Sequence, residues 1–306
     1  MIQQITEHLI LIDPEPQGYK RVLATYIVLA NDKVMIIDPG PNVCIDNLIN
    51  EIFKYGVKAV NTKYIALTHI HIDHGGGTGL LIKQLNIKPK IIVHPRGVKH
   101  VINPEKLWKA SLSVLKDVAI LMGKPEPLPS ELVYGINDGE TIDLGDVKVK
   151  VIYTPGHAPH HVCYFIEPDN IVVTGDAVGL YFDGRLIPVS VPIFDANEAR
   201  NSLKKLTNLK PSIVTVSHFG PCSGNGEEVL LRALNKIDEW EKRIEDILKR
   251  GIRDVNEIYK ELMNVDEDLR YISEIRNSTP LSKNSGFNCA LGMIYYVAKK
   301  LGIELK

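Results

Sequence analysis

Four candidate metal ligands, His69, His71, Asp73 and His74, fall within the ten residues Thr68-His69-Ile70-His71-Ile72-Asp73-His74-Gly75-Gly76-Gly77. The run Lys63-Tyr64-Ile65-Ala66-Leu67 reads as a buried strand, so the ligands begin where a strand ends. Ile70 and Ile72 are expected to face the core, while an extended loop places His69, His71 and Asp73 on the opposite side. His74 joins them as the chain bends into Gly75 to Gly77, which permit the bend and a close backbone approach. Thr78 to Leu85 then has the spacing of a short helix packed through Leu80, Leu81 and Leu85.

Three later ligands occupy the same kind of position. Val147 to Tyr153 alternates as a half-buried strand and runs into Thr154-Pro155-Gly156-His157; apolar runs also end at Asp176 (Ile171 to Gly175) and at His218 (Ile213 to Ser217). Four strand ends therefore converge on one rim. Imidazoles and carboxylates bind Zn²⁺, Fe²⁺ or Mn²⁺ at roughly 2.0 to 2.2 Å, and seven such groups exceed one tetrahedral centre. Two ions sharing a bridge would use them all.

These motifs resemble the metallo-β-lactamase superfamily: Asp38 in Ile37-Asp38-Pro39-Gly40, then His69-x-His71-x-Asp73-His74, His157, Asp176 and His218, in that order. The resemblance covers about residues 1 to 225. It implies an αββα sandwich of two facing β-sheets with helices outside and a metal site at one edge. It further implies that His69, His71 and His157 hold a first metal and that Asp73, His74 and His218 hold a second. Asp176 would bridge the two, and Asp38 would orient a ligand histidine from behind. The segment Thr154-Pro155-Gly156-His157-Ala158-Pro159-His160-His161 is similar to the glyoxalase-II-like and lactonase-like branch, although Ala158 and His160 depart from it.

At 306 residues and 44 % apolar, the chain can bury a full core and carry one domain of over 200 residues plus an addition. A formal charge of −1 gives no electrostatic case for nucleic acid or an anionic membrane as a general partner. No apolar run approaches the roughly 18 to 20 residues of a membrane span, and the start lacks a signal pattern, so a cytoplasmic location is expected. Cys44, Cys163, Cys222 and Cys289 are widely spaced, which suits reduced thiols, with Cys44 and Cys163 as small core residues.

The strands expected in the first half are Ile5 to Ile12, Ala24 to Ala30 and Val34 to Ile37, followed by a helix from Cys44 to Tyr55 capped by Asn42. A second pass from near Leu132 repeats the order, with strands at 140–144, 147–153, 162–167 and 171–174, a helix at 195–206 and a last strand at 212–217. Between the halves, residues 94–130 form a helical insertion near the pocket, with an amphipathic segment from Pro104 to Met122. It serves either as extra core packing or as a lid or wall that shapes the substrate pocket. Residues 226–306 are expected to form an all-helical C-terminal extension, led by a long helix from Glu227 to Arg250 and including Asp254 as an N-cap. Lacking a basic stripe, this extension is read as packing on the core or forming a homodimer rather than contacting nucleic acid.

The chemistry expected is that of a dinuclear metal hydrolase, with two Zn²⁺ per chain (Fe or Mn as alternatives) and a hydroxide bridging them as nucleophile. The substrate is expected to be a small ester, thioester or lactone. Asp73 would also accept a proton, and Tyr181 with Arg185, in the loop after Asp176, would reach the substrate. Two other classes stay open: a metal-dependent nuclease, and a single-iron persulfide dioxygenase or flavin-partnered redox member of the same scaffold. The 42 positions from Asp176 to His218 leave no room for the domain that nucleic-acid-cleaving relatives often insert there.

Overall fold

The computed structural model describes all residues from Met1 to Lys306. Fifteen strands and eleven α-helices follow one another in two similar passes. The first pass holds β1 (Ile2–Gln4), β2 (Leu9–Ile12), β3 (Thr25–Leu29), β4 (Val34–Ile37), α1 (Ile45–Lys54), β5 (Thr62–Ala66), α2 (Ile72–Gly75), α3 (Thr78–Leu85) and β6 (Lys90–Val93). The insertion supplies α4 (Val98–Ile102), α5 (Glu105–Leu115) and α6 (Asp117–Met122), and β7 (Val133–Gly135) completes the sheet. The second pass runs through β8 (Thr141–Asp143), β9 (Lys148–Tyr153), β10 (Val162–Ile166), β11 (Ile171–Val173), β12 (Leu180–Phe182), β13 (Arg185–Ile187), α7 (Ala196–Thr207), β14 (Ile213–Val216) and β15 (Gly220–Pro221). Helices α8 (Gly226–Lys249), α9 (Val255–Val265), α10 (Glu267–Arg276) and α11 (Ser285–Leu301) end the chain.

The first sheet has the order β1-β2-β3-β4-β5-β6-β7, antiparallel as far as β4 and parallel from β4 to β7. The second has the order β15-β14-β11-β10-β9-β8, with β14 parallel to β11. Because strand side chains alternate in direction, each sheet contributes to two cores. Leu9, Leu11, Tyr26 and Val28 of the first sheet meet Val149, Val151, Tyr164 and Val173 of the second in a cluster of 21 residues between the sheets. Ile10, Ile12, Ile27 and Ile36 face the other way, onto Ile45, Leu48 and Ile52 of α1 and Leu81 of α3. On the far side Cys163, Val172 and Val214 join α7, α8 and the last three helices in one continuous cluster that includes Trp240, Ile258, Ile272 and Met293. Three cores separate four layers, giving the αββα sandwich with α8–α11 packed as a helical region on the second sheet's outer layer.

Several local expectations need correction. The predicted strand from Ile5 to Ile12 is broken: β1 and β2 form a hairpin, and Asp169 holds the turn through Thr6 Oγ1, the His8 amide and His8 Nδ1. Asn42 does not cap α1, because its side-chain amide donates to the Lys124 carbonyl instead. The segment Pro104 to Met122 is two helices, since Lys116 at φ 52° interrupts it. From Ile72 onward, Asp73 included, the ligand loop is not extended but coils into the one-turn helix α2. Gly75, Gly76 and Gly77 keep ordinary negative-φ or helical backbone, so the bend is not their reason. A Cβ on Gly77 would meet Ile45 Cδ1 at 2.5 Å, so close packing of the loop on α1 is what requires glycine there.

Candidate metal centre

The seven ligand candidates all reach one rim, at the ends of β5, β9, β11 and β14. Nε2 of His69, His74 and His157 stand 3.8, 3.5 and 3.5 Å from Asp176 Oδ2, and His218 Nε2 is 3.6 Å from Asp176 Oδ1. Asp73 Oδ2 lies 3.7 Å from His74 Nε2 and 3.5 Å from His218 Nε2, while His71 Nδ1 is 3.0 Å from His157 Nε2. Most of these spacings are too long for hydrogen bonds. They approach the ~3.4 Å that separates two ligand atoms each ~2.05 Å from a tetrahedral cation. The donors group as His69, His71 and His157, as His69, His74 and Asp176, and as Asp73, His74 and His218, with Asp176 facing both sides.

The opposite edge of each ring fixes its tautomer. His157 Nδ1 donates to the Val189 carbonyl at 2.8 Å and His218 Nδ1 to the Val22 carbonyl at 3.2 Å, so each Nε2 keeps its lone pair for the cluster. His74 Nδ1 donates to Asp38 Oδ2 at 2.8 Å. Thr68 Oγ1 gives its own proton to Asp38 at 2.6 Å and therefore accepts from His69 Nδ1 at 3.0 Å. Nε2 of His69, Nε2 of His74 and Oδ1 of Asp176 are buried with no hydrogen-bond partner. Buried polar atoms without partners are costly, and three in one cluster of borderline donors fit divalent cations as the missing partner.

Electrostatics point the same way. Burial drives His69 well below the ordinary imidazole range, reinforced by the neighbouring histidines, and takes His71 down to about 3. Burial alone would lower His74 too, but the carboxylates of Asp176, Asp73 and Asp38 outweigh it and raise its affinity for a proton, which a bound cation would replace. Burial alone would raise Asp73 and Asp176, yet the surrounding imidazoles hold both below the usual carboxylate range.

Asp38 is buried at φ 51° behind the cluster and accepts from the Thr68 amide, Thr68 Oγ1, His74 Nδ1 and Ser217 Oγ. Thr68 and Ser217 were missed from sequence, although each is a hydroxyl residue at a strand end immediately before a ligand. His161 is not gathered as a ligand: its Nε2 accepts the Asp176 amide at 3.1 Å and its Nδ1 meets Thr154 Oγ1 at 2.8 Å, so it positions the Asp176 turn. Gly175, at φ +52°, lets that turn pass, because a Cβ there would meet Thr68 Oγ1 at 2.6 Å.

Tyr181 and Arg185 are not brought to the cluster. The Tyr181 hydroxyl bonds Ser223 Oγ at 2.6 Å, and Leu180, not Tyr181, lines the cavity. Tyr181 acts through its backbone, donating to the His218 carbonyl at 2.7 Å and accepting from Phe219 at 3.1 Å. Arg185 is engaged with Asp268 and stacks on Tyr271.

The cluster opens into a cavity of about 950 Å³. Its walls come from the insertion (Leu107, Val114, Val118), from the segment after β13 (Val191, Ile193) and from the C-terminal helices. The insertion thus walls the cavity, and its Ala119 and Met122 also pack on Ile72 behind the ligand loop.

A sequence profile described as the metallo-beta-lactamase superfamily matches residues 19–218. The chain belongs to that superfamily. The superfamily's metal-binding motif and its sandwich account for the cluster and for the fold, and place the chain among metal-dependent hydrolases. A metallo-beta-lactamase fold-containing protein of Sulfurisphaera tokodaii is 34 % identical over 227 residues, 72 % of this chain and 82 % of that protein. A hydroxyacylglutathione hydrolase of Francisella tularensis subsp. novicida is 25 % identical over 187 residues, 60 % of this chain and 61 % of that protein. Among solved structures, the archaeal superfamily protein from Sulfolobus tokodaii superposes with a TM-score of 0.65 at 30 % identity, covering 76 % of this chain and 86 % of that one. A family protein from Thermus thermophilus covers 98 % of this chain and 95 % of its own at a TM-score of 0.66 and 20 % identity, a likeness of fold that takes in the C-terminal helices. No helix is long and apolar enough to cross a membrane.

Proposed function

We propose that the protein is a two-metal hydrolase, with zinc as its natural cation, acting on a small ester, thioester or lactone. The observation that carries this reading is the set of seven nitrogen and oxygen donors spaced as a two-cation ligand shell at the floor of a largely apolar cavity. Walls of leucine, valine and isoleucine suit a small acyl compound better than a nucleic-acid strand. A relative named hydroxyacylglutathione hydrolase supports the thioester class.

His69, His71, His157, Asp73, His74, His218 and Asp176 would hold divalent cations there, which would supply Lewis acidity for the carbonyl oxygen and lower the pKa of a water toward neutrality. Residues of the chain do the rest. Asp38 holds the His74 ring, and the Val22 and Val189 carbonyls hold those of His218 and His157. Of the two carboxylates that line the cavity Asp73 is the more exposed, its side chain 23 % exposed against 3 % for Asp176, and we assign it as the proton carrier through Oδ2. The insertion and C-terminal helices wall the space in which the reacting group would sit. Four buried cysteines, none in a disulfide, support a reducing, cytoplasmic setting.

The test is a panel of thioesters, lactones, simple esters, RNA and glutathione persulfide, assayed on protein of measured metal content. Acyl hydrolysis with two zinc per chain is expected. Oxygen-dependent persulfide consumption with one iron, or RNA cleavage without ester turnover, would replace this reading.

A further inference from the structure

Arg276, the last residue of α10, lines the same cavity and is only 5 % exposed. A guanidinium carries five N–H donors. Two are used on backbone: Nη1 donates to the Arg21 carbonyl at 3.4 Å and Nη2 to the Val22 carbonyl at 3.2 Å. Its Nε is buried with no partner, and the side chain forms no ion pair. Burial lowers its pKa only to about 10, so it stays charged at neutral pH. A buried cation without a counter-anion is costly to maintain, and a structural role would be served as well by a neutral donor.

A second group of donors faces the same space. The 17-residue helix α11 starts at Ser285, and its N-cap Asn284, at φ 62°, makes no side-chain capping bond. Ser285 Oγ is buried and unpartnered, and Ser285 and Asn288 of this first turn line the cavity beside Arg276. Uncapped amides at a helix N-terminus attract anions. The lining carries five cationic side chains, Arg96, Lys99, Lys106, Arg276 and Lys283, against two carboxylates, Asp73 and Asp176, both committed to the ligand cluster. The whole chain has a formal charge of only −1, so this cationic character is local to the cavity.

We propose that Arg276, Ser285 and the first turn of α11 form a seat for an anionic group, a carboxylate or a phosphate, carried by the molecule that is hydrolysed at the ligand cluster. Val22 fixes the distance between the two: its carbonyl accepts from both Arg276 Nη2 and His218 Nδ1, at 3.2 Å each. The anion therefore sits next to the metal centre, a few bonds from the scissile acyl group. The assignment of that anion to a substrate rests on the hydrolase reading; the seat itself does not.

The experiment uses the metal-loaded full chain with a matched pair of thioesters, S-succinyl- and S-butyryl-N-acetylcysteamine, together with calorimetric titration by succinate and by inorganic phosphate. Arg276→Met and Ser285→Ala are compared with the wild type; the Ser285 hydroxyl makes no hydrogen bond, so its removal breaks none. The wild type should favour the succinyl thioester by about tenfold in kcat/KM, and the preference should shrink to about threefold or less in Arg276→Met and fall measurably in Ser285→Ala. Succinate or phosphate should bind the wild type about tenfold more tightly than Arg276→Met, the tighter of the two naming the anion. Equal turnover of the pair with no binding of either anion overturns the seat and leaves the hydrolase reading intact. Anion binding that both variants keep unchanged is ligation by the metals alone and also overturns it. Binding lost in Arg276→Met while neither thioester is cleaved upholds the seat and removes thioesters from the hydrolase reading.

Discussion

Asp38 Oδ2 lies 2.8 Å from His74 Nδ1, joining a buried carboxylate at the end of β4 to a buried imidazole of α2, the helix that follows the neighbouring parallel strand β5. The bond fixes the ring so that its unpartnered Nε2 faces Asp73 and Asp176. Asp38→Asn would set an amide against donors from Thr68 and His74. Metal affinity should fall by about 10- to 100-fold with the fold retained, measured by titration with a competing chelator. Unchanged affinity would show that Asp38 only closes the strand ends.

Tyr181→Phe should leave kcat/KM and substrate preference within about twofold and cost about 1 kcal/mol of stability, because the hydroxyl serves Ser223 and not the cavity. A changed substrate profile from steady-state kinetics would return Tyr181 to the role first read from the sequence.

Gly175→Ala should destabilise the protein by at least about 2 kcal/mol, combining left-handed backbone with a Cβ 2.6 Å from Thr68 Oγ1 and 2.7 Å from His161 Nε2. Since Thr68 and His161 position His69 and Asp176, metal content should drop as well, read by elemental analysis alongside thermal melting.

The pair His8 and Asp169, 2.7 Å apart, ties the turn of the first hairpin to the second sheet. The hydrogen bond to Asp169 raises His8 above its ordinary 6.5, so its contribution is full below that value and is lost as pH rises through the raised pKa. Burial would raise Asp169, but hydrogen bonds from Thr6 and His8 hold it below its ordinary 3.8; that contribution is present above 3.8 and lost as pH falls through the lowered pKa. The melting-temperature gap between wild type and His8→Ala should therefore be larger near about pH 5.5 than near about pH 9. A gap independent of pH would mean that His8 acts only by packing.

How much could be read from sequence follows from the range of each interaction. The candidates His69, His71, Asp73 and His74 are neighbours in the chain, and His157, Asp176 and His218 each terminate an apolar run, so local pattern was enough to expect them at one rim. The strands β6 and β7 escaped notice because they are short and flank the insertion. The hairpin β12–β13 was missed despite its Asp183-Gly184 turn, where φ is 50° and 83° as a two-residue hairpin requires. Tyr181 was misplaced for the same reason: without the hairpin, nothing in the sequence says which way its side chain turns. Arg276 had no local signal at all, since its partners Arg21 and Val22 lie more than 250 residues earlier and offer only carbonyls.

The proposed hydrolysis requires two divalent cations shared among these seven side chains. Elemental analysis of protein purified without chelator, beside the His71→Ala variant, tests it most directly. About two zinc per chain are expected in the wild type, with fewer in the variant and turnover reduced to background. A wild type with no bound metal, or a variant that keeps full metal and full activity, would contradict it.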